Sequence, residues 1–122
     1  MTEARRFVLL EHRWQGVHYD LMLEVDGVLK TWKLFAPLHE GEQPAEASFD
    51  HRLIYLDYEG TVSGDRGEVT RVEAGVYRGE VAPARVEVEL DGQTLIGRLN
   101  LKAEANGQWR LEFQPRLPVA AR

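Results

Sequence analysis

Residues 17–25 alternate without a break. Val17, Tyr19, Leu21, Leu23 and Val25 fall on one side, and His18, Asp20, Met22 and Glu24 on the other. A period of two is that of an extended strand with two unlike faces. Asp26-Gly27 comes next, a pair that tolerates positive φ and predicts a hairpin turn into a second strand over 28–35. Asp91-Gly92 and Asn106-Gly107 repeat the signal and divide three more predicted strands, over 84–90, 94–101 and 108–113. Shorter extended runs are predicted at 7–10, 53–58 and 75–78.

No segment carries a capped helical period. Short strands punctuated by turn residues predict an all-β fold with little helix, either a sandwich or a barrel of antiparallel strands. The stretch 37–48, rich in Glu, Pro and Ala, reads as a surface loop, and the tail over 115–122 as frayed. The strands on either side of the loop need one another, so residues 1–122 are expected to form one domain.

Composition narrows the picture. A chain of 122 residues can bury a core without staples, and it has no cysteine for a disulfide or a thiolate metal site. No apolar run is long enough to span a bilayer, and the N-terminus lacks a signal-like apolar core, so a cytoplasmic protein is expected. The net charge of -5 argues against a passive coat on nucleic acid, whose affinity comes from basic residues meeting phosphates. It leaves room for an enzyme that touches one strand end through a local site.

Chemistry concentrates in Glu11-His12-Arg13-Trp14-Gln15-Gly16-Val17-His18-Tyr19-Asp20. His18 and Asp20 leave the same face of a strand, and His12 shares their parity. Two imidazoles and a carboxylate suit Mn²⁺, Zn²⁺ or Fe²⁺, and a set of only three protein ligands leaves positions open, as in catalytic sites. The plainer alternative is a surface histidine beside a hydrogen-bonded His18–Asp20 pair. A second cluster runs from Asp50-His51 through Tyr55 to Asp57 and Glu59-Gly60. His51 is suited to donating a proton or hydrogen bond to a phosphate or leaving group, and Tyr55 to positioning it. Taken alone, that cluster also fits an edge strand whose polar residues face water. Of the tryptophans, Trp32 and Trp109 are assigned to packing and Trp14 to the neighbourhood of the site. His39 is assigned to solvent.

These residues, in this order, resemble the 3′-phosphoesterase domain of bacterial DNA ligase D. The first block matches at Glu11-His12, His18-Tyr19-Asp20, Glu24, Asp26-Gly27, Leu29 and Trp32. The second matches at Asp50-His51, Tyr55, Asp57 and Glu59-Gly60, and a later one at Gly92, Leu95, Gly97 and Leu101. The resemblance implies a small closed β barrel. It implies a divalent metal, typically manganese, held by His12, His18 and Asp20, with His51 and Tyr55 flanking the scissile phosphate. Such domains remove a 3′-terminal ribonucleoside and then the 3′-phosphate, leaving a 3′-OH for repair by non-homologous end joining. The substrate implied is a nucleic-acid 3′ end. The ligase and polymerase modules to which such domains are often fused would be separate partners, with no membrane involved.

Three departures qualify the resemblance. Met22 stands where the family places a phosphate-binding arginine, and a thioether cannot make a charge-assisted contact. The lysine that usually follows the first tryptophan is absent from Trp32-Lys33-Leu34-Phe35-Ala36-Pro37, and the segment after Gly60 is altered. Arg13, Lys33, Arg52 and Arg66 are the basic residues available to restore the lost charge. Two functions follow from this pattern. One is a metal-dependent phosphoesterase. The other is a catalytically impaired metal-binding module that holds nucleic-acid ends or a repair partner.

Overall fold

The computed structural model describes residues 3–116. Its strands are β1 (Arg5–Arg13), β2 (Val17–Val25), β3 (Val28–Leu34), β4 (Gly41–His51), β5 (Gly60–Thr61), β6 (Glu68–Ala82), β7 (Arg85–Gly92), β8 (Ile96–Ala103) and β9 (Gln108–Pro115), with a 3₁₀ turn at Leu53–Leu56. All pairings are antiparallel, in the order β1-β2-β3-β4-β9-β8-β7-β6, and β6 pairs back onto β1 to close a barrel of eight strands. The two-residue β5 is an appendage on β6. Closure removes the exposed edges that an open sheet of short strands would leave. No helix among the described residues is long and apolar enough to cross a membrane.

The alternation of β2 is realised as inside and outside. Leu21 and Leu23 join Phe7, Leu9, Leu99 and Phe113 in the barrel interior, all nearly inaccessible. Trp32 and Trp109 meet edge to face there, with ring centroids 5.5 Å apart, as their assignment to packing requires. Burying each such side chain is worth about 1.5–3 kcal/mol, which is what holds a chain without disulfides together. Two hairpin signals are realised as turns. Asp26 and Gly27 have φ of 51° and 85°, and Asn106 and Gly107 have φ of 59° and 75°.

A second apolar cluster lies outside the barrel wall. Val8, Leu10, Met22, Leu29 and Val69 point outward from β1, β2, β3 and β6, and Leu56 of the 3₁₀ turn closes over them. Asp57 and Glu59 fasten this cover. Asp57 pairs with Arg6 at 2.7 Å, and Glu59 accepts a hydrogen bond from the Arg71 amide.

Four expectations change. Residues 41–48 are not a loop but the first part of β4. Its inward positions are Gln43 and Ala45, so no large apolar side chain marks the inward half of the alternation. Pro44 is tolerated because β3 pairs β4 only from Ala45 onward, which leaves one side of Pro44 without a neighbouring strand. Residues 53–58 are not a strand. Tyr55 and Asp57 donate backbone hydrogen bonds to the carbonyls of Arg52 and Ile54, a turn that drops Leu56 onto the outer cluster. Asp91 and Gly92 belong to β7, and the turn is formed by residues 93–95 instead. Pro115 lies in β9, while the rest of the expected frayed tail, from residue 117 on, lies outside the described residues.

Candidate metal and phosphate site

The outward side chains of β1, β2 and β3 lie in rows across the barrel wall. His12 is directly opposite His18, Leu10 opposite Asp20, and Val8 opposite Met22. On the other side of β2, Lys33 is opposite Asp20 and Thr31 opposite Met22. Side chains directly opposite on one face have Cβ atoms about 4.5–5.5 Å apart. The candidate ligands therefore adjoin the outer apolar cluster, which begins at Leu10, opposite Asp20, and continues through Val8 and Met22.

The donor atoms of His12, His18 and Asp20 lie within 4.8 Å of one another. Asp20 is 6% exposed, with His18 Nε2 at 3.3 Å and His12 Nδ1 at 3.7 Å from its two oxygens. Among the described residues no hydrogen bond is donated to that carboxylate. His12 Nε2 lies 2.7 Å from the carbonyl oxygen of Arg66. A carbonyl only accepts, so Nε2 donates to it, and Nδ1 is the nitrogen turned toward Asp20. A ligating imidazole held by its other N–H on a backbone carbonyl is the usual support of a metal-bound histidine. The donor set thus fits a divalent cation.

Gly67 makes that support possible. At φ 80° a Cβ here would lie 1.9 Å from the carbonyl oxygen of Arg13, so only glycine lets the loop before β6 close against the end of β1. Val62 donates to the Gly67 carbonyl at 2.8 Å and tightens the same loop.

His51, at the end of β4, and Tyr55, in the 3₁₀ turn, also reach the site. They line one cavity of about 380 Å³ together with His12, His18, Asp20 and Trp14. His51 Nδ1 lies 3.0 Å from both the Phe49 carbonyl and Thr31 Oγ1. The Thr31 hydroxyl spends its proton on the Leu29 carbonyl, so it accepts from His51. Nδ1 is therefore protonated, and Nε2 is the nitrogen left for other partners. Burial pushes the imidazole below its ordinary value of 6.5, against the opposite pull of Asp20, the Phe49 carbonyl and Asp50. At neutral pH His51 is therefore uncharged. Tyr55 meets the ring edge-on with centroids 5.6 Å apart.

Of the basic candidates, Lys33, Arg52 and Arg66 line the cavity and Arg13 does not. The guanidinium of Arg13 is engaged on the barrel wall with Glu11, Glu68 and Thr70, at 2.9–3.2 Å. Arg66 Nε donates to the Ser63 carbonyl at 2.7 Å. His39 hydrogen-bonds the Glu40 carbonyl away from the cavity. Sequence reasoning missed Thr31 and Phe49. Thr31 shares the outward parity of Lys33, and Phe49 that of His51, so strand parity was the signal for both.

The sequence profile of the DNA Ligase D 3′-phosphoesterase domain matches residues 10–111. The chain belongs to this family. It is 30% identical over 118 residues to the multifunctional non-homologous end joining DNA repair protein LigD of Mycobacterium tuberculosis, covering 88% of this chain and 16% of that protein. The LigD of Pseudomonas aeruginosa is 30% identical over 129 residues, covering 90% of this chain and 15% of its own length. That of Mycolicibacterium smegmatis is 36% identical over 94 residues, covering 70% and 12%. The chain therefore spans about a sixth of the curated relatives it matches.

Membership makes position 22 the point of interest. Met22 is 1% exposed and packs with Val8, Leu10, Leu29, Leu56 and Val69. It does not line the cavity. Lys33, directly across from Asp20, carries a cation into the row above, with its Nζ 5.6 Å from the Phe35 ring.

Proposed function

We propose that this chain is a manganese-dependent 3′-phosphoesterase that heals nucleic-acid ends for end joining. The observation that carries the proposal is convergence. The His12–His18–Asp20 cluster, His51, Tyr55 and three basic side chains line one cavity, although they come from separate parts of the chain.

The cation would be held by His12 Nδ1, His18 and Asp20. When bound, it supplies Lewis-acid polarisation of the phosphoryl oxygens and neutralises charge that builds during displacement. Lys33, Arg52 and Arg66 bind the phosphate and take over from the arginine that Met22 replaces. An incoming phosphate brings negative charge that favours the imidazolium of His51. As water attacks phosphorus and the ester P–O bond breaks, His51 delivers its proton from Nε2 to the leaving oxygen, while Thr31 and the Phe49 carbonyl hold Nδ1–H and fix the ring. Tyr55 orients the phosphate. The substrate is a 3′-phosphate or a 3′-terminal ribonucleoside. Its consumers are a ligase or polymerase of end joining.

Purified protein incubated with Mn²⁺ and a 3′-phosphate primer–template is expected to release phosphate and leave a 3′-OH. His18→Ala and His51→Ala are expected to abolish that release. No turnover on this substrate or on simple phosphodiesters overturns the proposal. The burial of Met22 favours a second reading, a module that binds metal and ends without turnover. It predicts Mn²⁺ binding and end binding with no product at all.

A further inference from the structure

Two exposed aromatic rings stand at the cavity, each resting on one of its histidines. Trp14 is 41% exposed, and its ring lies nearly parallel to His12, at 6.3 Å between centroids and 18° between planes. Phe49 is 71% exposed and stacks on His51 at 4.6 Å and 17°. Both line the cavity. Neither belongs to the barrel interior or to the outer apolar cluster. Single exposed apolar side chains are ordinary, but two aromatic rings exposed at one cavity form a shared apolar feature of that site.

From these two rings we infer a base-stacking role: Trp14 and Phe49 are platforms that hold the unpaired terminal nucleobases of a 3′ end while its phosphate lies among Lys33, Arg52 and Arg66. The inference rests on the reading of the cavity as a phosphate site. Three observations select this occupant. Lys33, Arg52 and Arg66 in the lining suit an anionic ligand. The rings line the same cavity as those cations and offer flat apolar faces, which every base can stack on whatever its sequence. The net charge of -5 disfavours the long phosphate track of a duplex, whose interior bases are stacked on one another and offer no free face. An unpaired end supplies both a free base face and a short run of phosphate.

The test is fluorescence anisotropy with a short labelled single strand ending in a 3′-phosphate, without added divalent cation so that binding is read apart from turnover. A matched strand carries abasic sugars at its last two positions. The base-bearing strand is expected to bind at least about tenfold more tightly, the size that stacking of one base brings. Trp14→Ala and Phe49→Ala each weaken it by a similar factor, leave the abasic strand unchanged, and leave competition by inorganic phosphate unchanged. Trp14→Phe and Phe49→Tyr restore tight binding. Equal affinity for the two strands, no detectable binding of either, or tighter binding of a blunt duplex or a phosphotyrosyl peptide overturns the inference. Failure of the phosphoesterase reading looks different: with Mn²⁺ no phosphate is released, yet the base-dependent binding persists.

Discussion

Two buried carboxylates sit on this barrel in opposite circumstances. Glu73, 2% exposed, receives hydrogen bonds from the amides of Ala74, Gln93, Thr94 and Leu95 and from the Thr94 hydroxyl. Asp20, 6% exposed, receives none among the described residues and faces two imidazoles. A carboxylate taken out of water needs donors or a cation to offset its lost hydration. The protein supplies the donors for Glu73, which folds the turn before β8 around itself. Among the described residues none serves Asp20, whose charge, beside two imidazoles, suits a cation. Burial alone would not distinguish the two; the donor count does.

The most direct way to break this comparison is Asp20→Asn. It is expected to weaken Mn²⁺ binding at least about 100-fold, because loss of even an outer-shell partner of a metal ligand costs 10- to 100-fold. The melting temperature of the metal-free protein should stay level or rise, since an unsatisfied charge is removed. The rise in melting temperature that Mn²⁺ gives the native protein should vanish. Titration calorimetry and thermal melting read these effects. A metal-free Asp20→Asn protein that melts well below the native one would make Asp20 a structural carboxylate like Glu73.

Glu73→Gln should do the reverse. It leaves metal binding intact and costs about 3 kcal/mol in denaturant unfolding, because an amide cannot accept from all the amides and the hydroxyl now aimed at a carboxylate. Burial pushes the Glu73 carboxyl up, but the hydrogen bonds from Thr94, Ala74 and Gln93 outweigh it and hold the group below its ordinary 4.5. A carboxyl held low in the folded state binds fewer protons than the same group unfolded. Its stabilisation is complete above the ordinary value and drains away as the pH falls through the depressed one. The native protein should therefore lose stability below about pH 4.5, and Glu73→Gln should flatten that slope.

What the sequence disclosed follows the same division between local and distant partners. The H-x5-H-x-D triad was legible because its residues sit on one hairpin, where strand parity fixes the face. β4 was not legible, since Gln43 and Ala45 fill inward positions that large apolar residues usually mark. The 3₁₀ turn was mistaken for a strand because Leu53 to Leu56 offer an apolar run, while the surface that Leu56 covers is built by β1, β2, β3 and β6. Arg13 looked available from its place between two ligands. Its partners Glu68 and Thr70 lie far along the chain, and parity turns it to the other side.

Met22 sharpens the comparison from the row below Asp20. Its place in the sequence suggests a lost arginine, but its place in the fold is the outer core. Met22→Arg is expected to cost about 3 kcal/mol, the lower end for an unpaired buried charge, and to leave turnover no higher. Met22→Leu, which keeps the volume, should cost less than about 1.5 kcal/mol. Chemical denaturation of both variants separates the two roles. A stable Met22→Arg protein with faster phosphate release would show that the outer core yields and that the site wants its cation at position 22.

The smallest effects test which positive charge is free to act. Lys33 faces Asp20 across β2 and β3 and lines the cavity, whereas Arg13 is held by Glu11, Glu68 and Thr70 on the barrel wall. Lys33→Ala should weaken binding of a 3′-phosphorylated strand about tenfold, the loss of one charge-assisted contact, with little change in melting. Arg13→Ala should leave that affinity unchanged and cost at most about 1 kcal/mol, as its ion pairs are half-exposed and screened. Raising the salt concentration should shrink the Lys33 effect, since the contact is electrostatic and only partly shielded from solvent. Equal losses of affinity in the two variants would mean that phosphate is gathered by the general field of the surface and not by the row of side chains beside Asp20.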